Sequence, residues 1–136
     1  MAHQLSGKVL AFVRSQRVAR AATVDANGTP HNVPVSPVVV SGRIYFASDA
    51  EARKVRNVRA NPQVAVAFDQ YTENWKKLAG VMIVGTATII ERGAAFRRAR
   101  QSLYRKFRMY SRVAPLDEGE AVIICITPTN SFSWGL

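Results

Sequence analysis

Two spacings of apolar residues alternate along the chain and divide it into helix and strand before any chemistry is considered. Leu5, Val9, Leu10, Phe12 and Val13 recur at the period of one helix face, and the polar run Arg14-Ser15-Gln16 ends it. Residues 17–25, with Val18, Ala19, Ala21, Ala22 and Val24, read as a strand. Asn27-Gly28 predicts a tight turn after it, because both residue types accept the positive φ that such hairpins demand. The second strand, His31 to Val40, carries Pro34 and Pro37. Proline has no N–H to give a sheet ladder, so this strand is expected at an edge, a bulge or a bend at a barrel corner. Ser41-Gly42 turns the chain into a third strand, Arg43 to Ser48.

The period then lengthens. Ala52, Val55 and Val58 fall at helical spacing, Ser48 or Asp49 is the expected cap, and Asn61-Pro62 is the stop. Gln63 to Phe68 alternates as a strand, and a polar loop holding Tyr71, Asn74 and Trp75 follows. Val81 to Ile90 is a long β-branched strand with a bulge expected at Gly85. Phe96, Ala99, Leu103, Phe107 and Tyr110 predict one amphipathic helix from Ala94 to Tyr110. Two strands, Glu120 to Thr127 and Ser131 to Trp134, complete the chain. Hairpins at the front exclude a doubly wound parallel sheet, and there is no glycine-rich dinucleotide fingerprint or Walker loop. The predicted class is α+β, mainly β: one domain over residues 1–136, a small antiparallel barrel with peripheral helices.

Composition narrows the chemistry. A chain of 136 residues, 48% hydrophobic, is enough for one packed core. Cys125 is the sole cysteine and cannot form an internal disulfide; with only His3 and His31 beside it, no structural zinc site can be assembled. No apolar run approaches the ~20 residues of a membrane helix, and Met1 to Ser6 is too polar for a secretory leader. The expectation is a soluble, reduced, cytoplasmic protein with no membrane partner. The net charge is +10, shared equally: residues 1–70 hold nine basic and four acidic side chains, and residues 71–136 hold ten and five. Two basic clusters stand out: Arg53, Lys54, Arg56 and Arg59, and the run Arg92 to Arg112 with eight basic residues and no acid. A surplus of this size draws polyanions such as nucleic acid, anionic lipid or a phosphorylated cofactor.

No Ser-His-Asp set, paired carboxylate or metal-binding cluster is present to do chemistry alone. His31 reads as structural and Cys125 as a core thiol. An enzyme built on this chain therefore needs a cofactor for its reactive atom, the protein supplying binding, orientation and electrostatics. The segment Ser48-Asp49-Ala50-Glu51-Ala52-Arg53-Lys54-Val55-Arg56-Asn57 delivers a strand to a helix N-terminus, where free N–H groups and the helix dipole favour an anion. Lys54 and Asn57, three apart, share a face, and Arg53 borders it. A solvated basic helix would show the same spacing.

Several of these pieces are similar to one known family. Lys54-Val55-Arg56-Asn57-Val58 followed by Asn61-Pro62, then Val64-Ala65-Val66, Asp69, Trp75 and Val84-Gly85-Thr86-Ala87 resembles the split-barrel flavin and deazaflavin oxidoreductases related to pyridoxamine 5′-phosphate oxidase. Within them it looks most like the branch that uses coenzyme F420. Val18 to Val24 with Gly28-Thr29-Pro30 resembles the family's first hairpin, Pro34-Val35 its second strand, and Phe132 to Leu136 its last strand. The resemblance implies a six-stranded split barrel, a homodimer, and cofactor sites at the two subunit junctions. Carried over by position, Lys54 and Asn57 hold the phosphate side of the cofactor, with Ser48 and Arg56 near it. Pro34, Val35 and Ser36 lie along the ring system, and Ala22-Thr23 offer backbone contacts. Trp75 and Lys77 approach from the partner subunit. Trp134 is read as barrel packing.

The resemblance also implies the reaction, hydride transfer from the deazaflavin ring carbon to an electron-poor double bond or carbonyl of a small organic substrate. Any proton would come from water, Tyr45, Tyr71 or Lys77, and no catalytic residue is assigned. Flavin mononucleotide is the alternative cofactor, in an oxidase of pyridoxine-phosphate type, although further phosphate-binding Arg or His groups for that substrate are not evident. A non-catalytic carrier of F420, flavin or haem is the other alternative. Nucleic-acid binding through Arg92 to Arg112 is disfavoured, because Phe96, Leu103 and Phe107 line the apolar stripe rather than interleave with the arginines.

Overall fold

Strands that alternate inward and outward residues close here into one strongly curled sheet. A computed structural model describes residues 3–136. Helix α1 (Gly7–Ser15) is capped by the Ser6 hydroxyl, which accepts from the Val9 N–H, and it buries Val9 and Val13. Strands β1 (Ala19–Val24), β2 (Pro30–Val35), β3 (Val38–Val40) and β4 (Arg43–Asp49) follow. Then come α2 (Arg53–Ala60), β5 (Gln63–Gln70), a single 3-10 turn at Trp75–Lys77, and β6 (Ala79–Ile90). Helices α3 (Gly93–Lys106) and α4 (Met109–Val113) lead into β7 (Ala121–Trp134). Every strand pair is antiparallel, in the order β2-β1-β5-β6-β7-β4-β3.

Strands β2 and β3 stand at opposite edges of that order, yet only Ser36 and Pro37 separate them. No more than about 11 Å of chain joins Val35 to Val38, so the sheet must curl until its edges meet at this corner. The single strand expected over 31–40 is therefore two, and the sheet counts seven strands rather than six. Pro34 is tolerated inside β2 because β2 is an edge, whereas Pro37 marks the break. The two strands expected at the C-terminus are one 14-residue strand, paired with β6 along its length. The register shifts between Val84 and Gly85, where the bulge was expected, and a side chain at Gly85 would run into the Thr127 carbonyl.

The helix predicted for 94–110 is also divided. It stops at Lys106, with the Phe107 N–H closing on the Leu103 carbonyl, and restarts as α4 after Arg108. Neither Ser48 nor Asp49 caps α2. The N-cap is Ala52, without a side-chain bond, and Ser48 remains inside β4, where its hydroxyl donates to the Asp49 carbonyl at 3.0 Å.

Inside the curl, Ile44, Phe46, Val66, Phe68, Val81 and Ile83 form the core, closed by Leu5, Val9 and Val13 near α1 and by Val55 and Val58 of α2. Part of the outer face, on β4 and β7, lies under α3, where Phe96, Ala99 and Leu103 pack with Ile123 and Leu116. Cys125 is buried, and burial pushes its thiol pKa up, as suits a core thiol. Among the described residues, no helix lies over the rest of the outer face. Arg20, Ala67, Met82 and Phe132 lie side by side across β1, β5, β6 and β7, beside a second row of Ala22, Ala65 and Val84. Trp134 packs here, outside the barrel, its ring filling the space over Gly80.

Candidate functional site

Helix α2 is held by its apolar side. Val55 and Val58 are buried in the core, and Asn57, only 5% exposed, donates from Nδ2 to the Thr23 hydroxyl at 3.0 Å. That bond fixes α2 to β1 and occupies one amide hydrogen of a residue expected to hold phosphate. Thr23 points inward and is buried, so what it can offer a ligand is backbone. The two residues are 34 apart in the chain, a pairing that no local spacing signals.

The N-terminus of α2 differs from its packed side. With alanine as N-cap, the backbone N–H groups of Arg53 and Lys54 have no hydrogen-bond partner among the described residues. The Lys54 side chain is half-buried, and among the described residues no carboxylate lies within ion-pair distance. Burial pushes its ammonium pKa below the ordinary lysine value, partly opposed by the field of Asp49. A desolvated cation beside free N–H donors at the positive end of a helix is stabilised by an arriving anion, so these groups fit a cofactor phosphate.

The remaining expected residues divide between places. Ala22 and Pro34 face outward on β1 and β2, while Val35 is buried on the inward side. Ser36 lies at the β2–β3 corner close to the Tyr110 hydroxyl, whose pKa is raised by burial, an effect the nearby Ser36 partly opposes. Tyr110 in turn lines a cavity of about 400 Å³ with Ala47, Ser48, Asp49 and Pro115. Tyr110 thus links the ring-side and phosphate-side expectations. The sequence hid this by placing Tyr110 on the apolar stripe of an unbroken helix.

Arg56 belongs elsewhere. It lines a cavity of about 620 Å³ with Arg59, Glu91, Arg92 and Glu118, in which Arg59 and Glu91 pair at 2.8 Å. Trp75 and Lys77 sit beyond the end of β5 remote from α2; eight residues of strand put roughly 25 Å between them and that helix. Trp75 is 72% exposed, its indole N–H donating to the Tyr71 hydroxyl at 3.4 Å. Within one chain these two residues do not meet Lys54. Tyr45, one suggested proton source, stands opposite Cys125 in the β4–β7 register and packs with the cluster under α3. Among the described residues no three His, Cys, Asp or Glu side chains could hold a metal ion, and no helix is long and apolar enough to cross a membrane.

A curled antiparallel sheet with helices packed against it is the architecture of a known class. The family model for pyridoxamine 5′-phosphate oxidase matches residues 5–135, and the chain belongs to that family. It is 36% identical over 96 residues to the 5a,11a-dehydrotetracycline/5a,11a-dehydrooxytetracycline reductase of Streptomyces rimosus, covering 67% of this chain and 68% of that one. Among solved structures, the conserved hypothetical protein Rv2991 from Mycobacterium tuberculosis superposes with a TM-score of 0.82 at 23% identity, over 98% of this chain and 86% of that one. HutZ, the heme storage protein from Vibrio cholerae, does so with a TM-score of 0.79 at 18% identity, over 96% and 94%. At these identities the two structures speak to the fold alone.

Proposed function

We propose that this chain is a coenzyme F420-dependent oxidoreductase that works as a homodimer on a small organic substrate. The observation that carries this reading is its 36% identity to a reductase, within a family named for an oxidase. When bound, the deazaflavin supplies a hydride to an electron-poor double bond or carbonyl. The chain's own groups bind and orient. Lys54, with the free N–H groups of Arg53 and Lys54, holds the phosphate; Asn57 keeps α2 at the right height on β1 through Thr23. Ala22, Pro34, Val35 and Ser36 border the ring, with Ser48 at the cavity beside Tyr110. The uncovered outer face, with Met82 and Phe132 exposed, receives the second copy, which brings its own Trp75 and Lys77 towards the junction. Arg56, in the separate cavity with Arg59, serves the more distant anionic part of the cofactor.

Flavin mononucleotide is the alternative ligand of the same groups, since a phosphate monoester also seeks a lysine at a helix N-terminus. Titration separates the two. F420 fluorescence is expected to change at micromolar protein, with flavin mononucleotide binding more weakly; equal or reversed affinities overturn the F420 assignment. Lys54→Ala is expected to weaken F420 binding by about 1–3 kcal/mol, the worth of a charge-assisted contact. Unchanged affinity would move the phosphate to another part of the chain.

A further inference from the structure

Lys106, the last residue of α3, was part of a basic run with no assigned role, yet its ammonium is among the most tightly committed cations in the chain. Its Nζ donates to the Gln16 carbonyl at 2.7 Å and to the Pro37 carbonyl at 2.8 Å. Arg17 returns the connection, donating from Nη2 to the Lys106 carbonyl at 2.9 Å. Both cations lie over the Phe107 ring, the Arg17 guanidinium at 4.9 Å and Nζ of Lys106 at 5.3 Å from its centroid. This clasp has a cost, since burial and the neighbouring Arg17 both disfavour the charged lysine.

The place matters more than the bonds. Gln16 caps the C-terminus of α1, and Pro37 is the corner where β2 gives way to β3 and the sheet edges meet. The Pro37 carbonyl lies outside both strands, so Lys106 supplies a donor there. Next to it, Tyr110 of α4 approaches Ser36. Both contacts to the corner thus come from the segment between β6 and β7.

We infer that Lys106 is a positioning residue: it clamps the Ser36-Pro37 corner to the α1–β1 turn so that the corner keeps the shape a planar cofactor ring requires. This rests on the reading that the corner borders that ring. It assigns a role to part of the Arg92 to Arg112 run without any contact between Lys106 and the ligand.

Lys106→Met and Lys106→Arg separate the possibilities, with F420 and inorganic phosphate as probes on the full chain. Lys106→Met is expected to lower F420 affinity about tenfold, as loss of charge-assisted bonds would. Phosphate, which needs only the α2 end, should bind as to the unaltered chain. Amide exchange at Ser36 and Val38 should quicken while that of the core strands does not. Lys106→Arg, which still reaches both carbonyls with a cation, should restore the affinity. Unchanged F420 affinity, an equal loss of phosphate binding, or no rescue by arginine would overturn the inference. If the unaltered chain binds neither F420 nor flavin mononucleotide, the cofactor reading fails instead. Exchange at Ser36 and Val38 then decides alone: unaltered exchange in Lys106→Met overturns the clamp.

Discussion

The outer face of the sheet has two halves built from the same kind of strand and finished differently. On the β4 side of β7, Phe96 and Leu103 of α3 cover Ile123, and all three are wholly buried. On the β1–β5–β6 side, small residues at Ala22, Ala65 and Ala67 alternate with Met82, Val84, Phe132 and Trp134, and among the described residues no helix covers them. Strand β7 runs through both: Ile123 lies beneath a helix, and nine residues later Phe132 is 62% exposed. One half is a core completed within the chain. The other has the small and apolar residues of a core still lacking its second layer, a patch of the kind that marks an interaction surface.

Substitution separates the halves. Phe96→Ala should cost about 3–5 kcal/mol of folding stability, read by denaturant unfolding, because the cavity lies in a closed core. Ala67→Arg should leave the stability of the isolated chain nearly unchanged, its side chain pointing to solvent. In a homodimer formed through this face it buries an unpaired guanidinium, at a cost of several kcal/mol. Sedimentation should then show monomers where the unaltered chain shows dimers. A dimer that survives Ala67→Arg would place the interface elsewhere.

What the sequence made legible follows the same division. Strand and helix periods were readable because burial on one side imposes them: Val64, Val66 and Phe68 point inward as alternation requires. Turn chemistry located the hairpin at Asn27-Gly28, whereas Pro34 and Pro37 signalled an edge, a bulge or a bend without showing which of them divides the strand. The break after Lys106 was not readable, since Phe107-Arg108 contains neither proline nor glycine and the apolar spacing continues to Tyr110. The union of Ser131 to Trp134 with the preceding strand was hidden by the polar run Thr127-Pro128-Thr129-Asn130, which β6 tolerates through its register shift. In the site, Lys54 could be nominated from its place on a helix. That Asn57 would turn to Thr23, 34 residues away, and Arg56 to a different cavity, depends on how α2 rotates against β1.

The α2 end should also respond to pH in a way the open face does not. Burial lowers the Lys54 pKa, so the free protein begins to lose this proton below the ordinary lysine range. A bound phosphate favours the charged form. Affinity should therefore be complete below the lowered pKa and fall as pH rises through it, the unbound state then holding fewer protons than the bound one. Lys54→Arg keeps its charge throughout and should flatten that alkaline decline while leaving any titration of the ligand itself in place. If the unaltered chain and Lys54→Arg decline in parallel with pH, Lys54 is not the group that meets the phosphate.

The smallest expected effect tests the open face most finely. Arg20 and Asp69 pair across it at 2.5 Å, each about half exposed, beside Ala67 and Gly80. In a lone chain such a pair is worth about 0.2–1 kcal/mol and is weakened by salt, since water and counterions reach both groups. Covering the face with a second copy removes that water and strengthens the coupling. A double-mutant cycle on Arg20→Ala and Asp69→Ala should thus give a small, salt-sensitive coupling in the Ala67→Arg background. In the unaltered chain at dimer-forming concentration the coupling should be larger and less salt-sensitive. Equal couplings in both backgrounds would mean that the pair stays in solvent and that the second copy docks on another surface.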